Sequence, residues 1–275
     1  MTEASVGHQC PECVSQGRRT QRSARTAFGG TAAGQQGTVT KILIGLNVAV
    51  AILGVLVSGA KAAVGGGLFT GAGAIQAYGA VIAHTVYLAP NGQVFTQPVA
   101  GAQAIPGIDD GGWYRLLTAM FIHYGLLHLL VNMWALWVLG RQLEAVLGRG
   151  RFLALYLLAG IGGNVAAYLF SPNSLTAGAS TALFGLFAAY AIVVRRLGGS
   201  LASVLPVLVI NLILTFSFSQ YISVAGHLGG LVTGAMVGAG LAYAPRNART
   251  QVQVAVIVGV LILLLFLTVI GSTLH

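Results

Sequence analysis

Seven apolar segments dominate the chain, at about residues 39–59, 116–140, 152–170, 180–194, 201–218, 224–243 and 253–272. An α-helix of roughly 20 apolar residues crosses the hydrocarbon layer of a bilayer. No water is available there, so a spanning segment must satisfy its backbone polar groups internally. The fourth segment, with 15 residues, is short for a lipid-facing span. That length suits a central helix whose ends are shielded by neighbours. Composition points the same way: 56% of residues are hydrophobic and 7% charged, against about a quarter charged in soluble domains. So few charges cannot build a solvated surface, and the chain is expected to be an all-α, polytopic helical bundle that faces lipid.

The order of segments divides the chain into a polar tail (1–38), six core spans (39–243), and a linker with a seventh span (244–275). The tail is rich in Gly, Ser, Thr, Gln and Arg and is expected to be largely disordered. No apolar run opens the chain, so no cleavable signal peptide is evident. Residues 60–112 connect the first two spans. Within them, 68–89 is mildly apolar but interrupted by His84, Tyr87 and glycines, and reads as an interfacial or re-entrant loop. With the N-terminus placed in the cytoplasm and seven crossings, every Lys and Arg except Lys61 and Arg115 falls on the cytoplasmic side. This is the bias of the positive-inside rule. A full span at 68–89 would invert everything after it. The expected location is a cell (inner or plasma) membrane, with the C-terminus outside. The net charge of +9 is accounted for by loops beside anionic lipid. No basic stripe interleaved with aromatics suggests nucleic acid.

Ionisable groups inside spans are costly and usually functional. This chain carries His123 and His128 in the second segment and His227 in the sixth, with the polar Asn132 also in the second. Ser180 opens the fourth segment after Gly178. The direction of each crossing puts all of them near the outer surface, so polar groups from three helices share one depth. His128 and Asn132 are spaced i, i+4 and share a helix face. His123, five residues before His128, is expected to face elsewhere, toward the outer loop. Gly230, Gly234 and Gly238 follow His227 in a small-residue stripe that lets another helix approach closely. The short fourth span is the natural occupant, which would bring Ser180 within reach of His227.

A serine beside a histidine is the minimal pair for nucleophilic acyl transfer. The five acids are Glu3, Glu12, Asp109, Asp110 and Glu144, and none lies within a span near that pair. The arrangement would therefore be a Ser–His dyad without a carboxylate. His128, Asn132 and the Ser180 amide could donate to a developing oxyanion. On the residues alone other readings stay open. A serine at a helix start is usually a cap. Glycine stripes often serve packing only, closely spaced histidines can bind metal, and intramembrane histidines also serve proton-coupled transport.

Taken together the motifs resemble the rhomboid family of intramembrane proteases, over roughly residues 40–243. Tyr114-Arg115 stand where that family has Trp-Arg. His123, His128 and Asn132 match its H-x4-H-x3-N pattern, and Gly178-Ala-Ser180 its G-x-S motif. Ala225-Gly-His227-Leu-Gly-Gly is similar to its histidine motif. The resemblance implies Ser180 as nucleophile and His227 as general base. It places His128, Asn132 and the Ser180 amide at the oxyanion, with His123 in support, and makes Glu144 and Arg141 structural. The substrates it implies are transmembrane proteins, the fold a rhomboid bundle of six spans plus one, and no cofactor is needed. An inactive rhomboid-like protein that binds membrane clients is the alternative, although such proteins usually lack the Ser or the His. Two positions depart from the family: Thr181 replaces a usual Gly and could crowd a scissile backbone, and Phe184 replaces a frequent Tyr that stacks on the histidine.

Cys10 and Cys13 are the two cysteines, spaced C-x-x-C beside His8. This is half of a zinc-binding set, and it resembles the end of a zinc-binding tail on some actinobacterial members of the family. Without further ligands nearby, no bound metal is expected. Metal analysis of the isolated tail should therefore find no stoichiometric zinc, and a one-to-one content would reverse that reading.

Overall fold

The computed structural model describes residues 2–3, 7–20, 25–31, 34, 36–64, 73–219 and 222–275. After an antiparallel pair of two-residue strands, β1 (Thr2–Glu3) and β2 (His8–Gln9), helix α1 covers Pro11–Thr20. The first long helix, α2, covers Thr38–Val64 and breaks its helical path at Gly59. The connector holds a short helix, α3 (Ala74–Gly79), and a three-stranded antiparallel sheet of β3 (Val86–Leu88), β4 (Val94–Phe95) and β5 (Gln103–Ile105), with β3 central. Helix α4 (Arg115–Thr118) and a 3-10 turn lead into α5 (Leu126–Ala135), which passes through a π-helical segment into α6 (Arg141–Leu147). Then follow α7 (Arg149–Phe170), α8 (Ser180–Arg196), α9 (Leu205–Ser217), α10 (Val224–Tyr243) and α11 (Arg249–Leu274).

The molecule is a polytopic helical bundle. Five helices among the described residues are long and apolar enough to cross a membrane: Thr38–Gly59, Leu126–Leu147, Arg149–Phe170, Val224–Tyr243 and Arg249–Leu274. The other two expected spans are shorter. Helix α8 has 17 residues. Helix α9 has 13, about 20 Å at 1.5 Å per residue. Pro206 sits in the first turn of α9, where a missing N–H costs nothing, and so sets its start.

The second apolar segment also differs from the expected 116–140. Its first part is α4 and the 3-10 turn, and Ile122 then runs extended. Gly125, at φ 86°, caps the start of α5. An L side chain rarely adopts that backbone, so the continuous helix begins only at Leu126. The start of the 68–89 stretch lies outside the described residues. The rest forms α3 and strand β3, not a span.

Helices α7, α8 and α10 form the centre. A Cβ added at Gly238 would lie 2.8 Å from Ala189 Cβ. At Gly230 and Gly234 it would run into the backbone of Thr181 and Gly185. One stripe of α10 is thus pressed onto Thr181, Gly185 and Ala189 of α8, as the spacing suggested. On the other side, Gly162 and Gly163 of α7 admit Thr233 and Thr181. Close approach of small residues is what holds helices together where lipid offers no hydrophobic driving force.

Two buried charges pin the periphery. Arg115 is fully buried and donates to three carbonyls of the connector, from Nε to Pro106 at 2.8 Å, Nη1 to Ala80 at 2.6 Å and Nη2 to Ala77 at 2.7 Å. Glu144, also fully buried, accepts from the amides of Val39 and Thr40 at 3.0 and 2.9 Å and from the Thr40 hydroxyl at 2.9 Å. These amides lie in the first turn of α2, where no intrahelical partner exists. Glu144 caps α2 from a distant helix.

Part of the tail is packed as well. Residues 25–31 make a tight turn with Arg25 bridged to Thr31, and Phe28 is buried in the main core. Cys10 and Cys13 are exposed free thiols. Amide hydrogen bonds from Cys13 and Glu12 hold the Cys10 thiol below its usual pKa. Among the described residues no three His, Cys, Asp or Glu side chains group to hold a metal.

Replacing Glu144 by Gln keeps the shape but cannot accept all three hydrogen bonds as a charge. Bonds to charged groups contribute about 1.5–3 kcal/mol each, so E144Q should lower stability by roughly 2–4 kcal/mol. Denaturant unfolding in detergent micelles measures this, and an unchanged midpoint would refute the capping role.

Candidate functional site

Ser180 occupies the first helical position of α8, with Ala179 as the cap residue. It is therefore not the cap that a lone serine at a helix start usually is. The loop that presents it is clamped on several sides. Thr176 exchanges both backbone hydrogen bonds with Val81 of the connector, at 2.8 and 2.9 Å. The Tyr124 hydroxyl donates to the Leu175 carbonyl at 2.7 Å, and the Gly178 amide donates to the Ala119 carbonyl at 2.9 Å. The connector anchored by Arg115 thus fixes the approach to Ser180.

His227 lies in the first turn of α10, whose start is capped by the Ser223 side chain accepting from the Gly226 amide at 3.0 Å. Its Nε2 is 2.8 Å from Ser180 Oγ. Its Nδ1 is 2.8 Å from Thr215 Oγ1 on α9. The Thr215 hydroxyl donates its proton to the Asn211 carbonyl at 2.7 Å. Having spent its proton there, Thr215 Oγ1 can only accept from His227. Nδ1 therefore carries the imidazole hydrogen and Nε2 presents a lone pair to the Ser180 hydroxyl. Phe184, one turn after Ser180, stacks on the imidazole with centroids 4.1 Å apart and planes at 19°. The ring contact survives without a tyrosine hydroxyl.

His128 and Asn132 share one face of α5, and both line the same cavity as Ser180 and His227. The Asn132 amide donates to the His128 carbonyl at 2.7 Å. His128 Nδ1 accepts from the Tyr124 amide at 3.2 Å, which places the ring hydrogen on Nε2 as a donor. That nitrogen and Ser180 Oγ lie 3.0 and 3.3 Å from where a Cβ on Gly178 would sit. Gly178 also has φ 141°, so a side chain there would meet both strain and the two polar atoms.

His123 turns toward this cluster and not toward the outer loop. Its ring lies 5.0 Å from that of His128, and its Nε2 accepts from the Ala179 amide at 3.4 Å. Helical spacing misassigned it because residues 122–125 are not helical. Thr181 lines the same cavity as Ser180 and His227. Its side chain is buried, with Cγ2 3.2 Å from a Cβ built at Gly226, so it fills the packing between helices.

The cavity has a volume of about 580 Å³, and its lining includes Thr215 and Asn211 beside the residues above. No carboxylate hydrogen-bonds His227 among the described residues. Asp109 is engaged by the Tyr168 hydroxyl, and Asp110 by Thr85. Chemically, a serine hydroxyl faces a neutral imidazole acceptor. The Ser180 amide, in the first turn of α8, has no intrahelical partner and flanks the same space. Thr215 is the member of this group that sequence reasoning missed. A single threonine in an apolar helix carries no signal without the fold.

The Rhomboid domain family model matches residues 110–244. The chain is 37% identical over 175 residues to Rhomboid protease GluP of Bacillus subtilis, covering 58% of this chain and 34% of that protein. It is 34% identical over 133 residues to the B. subtilis protein described as Putative rhomboid protease YdcA, covering 46% of this chain and 67% of the relative. It is also 34% identical over 146 residues to RHOMBOID-like protein 2 of Arabidopsis thaliana, covering 50% of this chain and 45% of that protein. The chain thus spans about a third of GluP's length and two thirds of YdcA's. It is a multi-pass membrane protein of the rhomboid family.

Proposed function

We propose that this protein is an intramembrane serine endopeptidase that hydrolyses peptide bonds in or near the transmembrane helices of other membrane proteins. The observation that carries the proposal is the 2.8 Å contact between His227 Nε2 and Ser180 Oγ at the wall of a cavity. In the first step Ser180 Oγ attacks the scissile carbonyl carbon while its proton passes to His227 Nε2. The carbonyl oxygen becomes an oxyanion, received by the Ser180 amide, His128 Nε2 and the Asn132 side chain. Each such donor is worth about 2.7–4 kcal/mol of transition-state stabilisation. The tetrahedral species collapses as the imidazolium gives its proton to the leaving amine. A water molecule, deprotonated by His227, then releases the acyl group from Ser180.

No acid stabilises the imidazolium in this scheme. Thr215 acts as a positioning residue, keeping the Nδ1 hydrogen in place so that Nε2 is basic toward Ser180. A substrate helix must unwind locally to enter, because helical hydrogen bonds shield its carbonyls. The proposed frame is a core of residues 39–243 with a seventh span in 244–275. It sits in a cell membrane with the N-terminus cytoplasmic, Ser180 near the outer surface and the C-terminus outside. The distribution of Lys and Arg supports this orientation.

Cleavage of a membrane-anchored reporter should be lost in S180A and in H227A while both variants remain folded. Removal of a serine nucleophile costs on the order of a million-fold in kcat. Full cleavage by S180A would end the proposal, and a folded wild type with no cleavage would favour the client-binding alternative.

T215V removes the acceptor for the Nδ1 hydrogen and T215S retains it. T215V should lower kcat by about tenfold, the equivalent of one neutral hydrogen bond, with KM little changed and its pH profile displaced. T215S should restore both. Equal activity and pH profile in wild type and T215V would show that Thr215 does not orient His227.

A further inference from the structure

At the end of the bundle opposite Ser180, three arginines lie near one another, and no acid pairs with them among the described residues. Arg151 opens α7 and Arg249 opens α11. Both side chains close on the tail turn at Gly29. A Cβ built there would be 3.1 Å from Arg249 Cδ and 3.3 Å from Arg151 Nη2. Arg25, in the same turn, is bridged to Thr31. Its charge and that of Arg249 both act on Arg151. No Arg ion pair occurs among the described residues, whose one ion pair is His84 with Asp109. The nearby acid, Glu144, is consumed by the start of α2.

The grouping is built into the fold and is not a product of loose surface side chains. Arg151 Nε donates to Gln253 Oε1 at 2.6 Å and Nη1 donates to the Gly29 carbonyl at 3.1 Å. Gln253 is buried, and its amide donates to the carbonyls of Phe28 and Leu241 at 3.2 and 2.9 Å. The tail turn is seated in turn, since Phe28 is buried in the core and Gly30 packs on the backbone at Leu147 and Gly148. Two of the guanidinium's donors are thus spent on fixing its orientation. The Nη2 edge is left toward Arg249. Held like charges raise the energy of the folded state unless an anion joins them. The starts of two long helices add positive dipole ends at the same place.

We propose that Arg25, Arg151 and Arg249 form a binding site for a phosphate group, supplied by the headgroup of an anionic phospholipid or by free phosphate. A guanidinium fork presents paired N–H groups that match phosphate oxygens. Positions at the mouth of two membrane helices put the site at headgroup level.

The test is titration of short-chain phosphatidylglycerol onto the full-length protein in neutral detergent, read by native mass spectrometry. The double variant R25Q/R249Q leaves the Arg151–Gln253 bond intact. The control R195Q/R196Q removes the same charge from the end of α8, on the same side of the bundle. At about one kcal/mol per arginine, R25Q/R249Q should bind about 30-fold more weakly, and the control should change by less than about twofold. Inorganic phosphate at matched ionic strength forms the second arm. Displacement of the lipid would show that the phosphate group alone is recognised, and no displacement would show that the site takes the lipid headgroup. Equal weakening in both double variants, or none in R25Q/R249Q, would overturn the proposal.

Discussion

The close approach of α8 to α10 sets everything else at the site. At Gly230 and Gly234 the backbone of α8 lies directly on α10, and at Gly238 only the Ala189 methyl group and its Cα lie against it. Only at this separation can a one-carbon side chain at the start of α8 reach an imidazole on α10. The distance between Ser180 and His227 is therefore fixed by what is missing from the interface as much as by the two residues themselves. A Cβ at Gly185 or Gly234 would meet backbone, and the helices would have to part. The same packing explains why α8 is short, since its first half is buried among neighbours and needs no lipid-facing length.

The polar groups are held by fixed partners, and each partner decides one degree of freedom. Ser223 caps the helix that carries His227, Phe184 sets the plane of its ring, and Thr215 with Asn211 sets its tautomer. A carboxylate in the Thr215 position would stabilise an imidazolium by charge, whereas a hydroxyl only orients it. On the far side of Ser180, Arg115 ties the connector to α4, and the backbone pair of Val81 with Thr176 ties the connector to the loop that delivers Gly178 and Ser180. A buried arginine bound to three carbonyls is costly to disturb, and it makes the long connector part of the scaffold.

Much of this was legible in the sequence, for physical reasons that also mark its limits. Segment length and direction put Ser180, His128, Asn132 and His227 at one depth, because a helix crossing a bilayer has a known rise. The glycine stripe identified α8 as the partner of α10, because glycine spacing on a helix has little other use in lipid. Other features could not be read. His123 was misdirected by a helical wheel applied where Gly125 and Ile122 interrupt the helix. Thr215 is a single threonine in an apolar helix, and nothing in the spacing of that helix sets it apart from a packing residue. Thr181 lines the cavity and also packs between α7 and α10, a second role that its position in the sequence does not show. The packing of Phe28 and the tail turn depends on contacts with Leu147 and Gln253, far away in the chain.

The central claim is that His227 makes the Ser180 hydroxyl nucleophilic. Its most direct measurement is covalent labelling of the folded protein by a fluorophosphonate, with the modified residue located by mass spectrometry. Labelling confined to Ser180 in the wild type and lost in H227A is the predicted result. Labelling of Ser180 that is undiminished in H227A, or a folded wild type that takes up no reagent, would contradict the account.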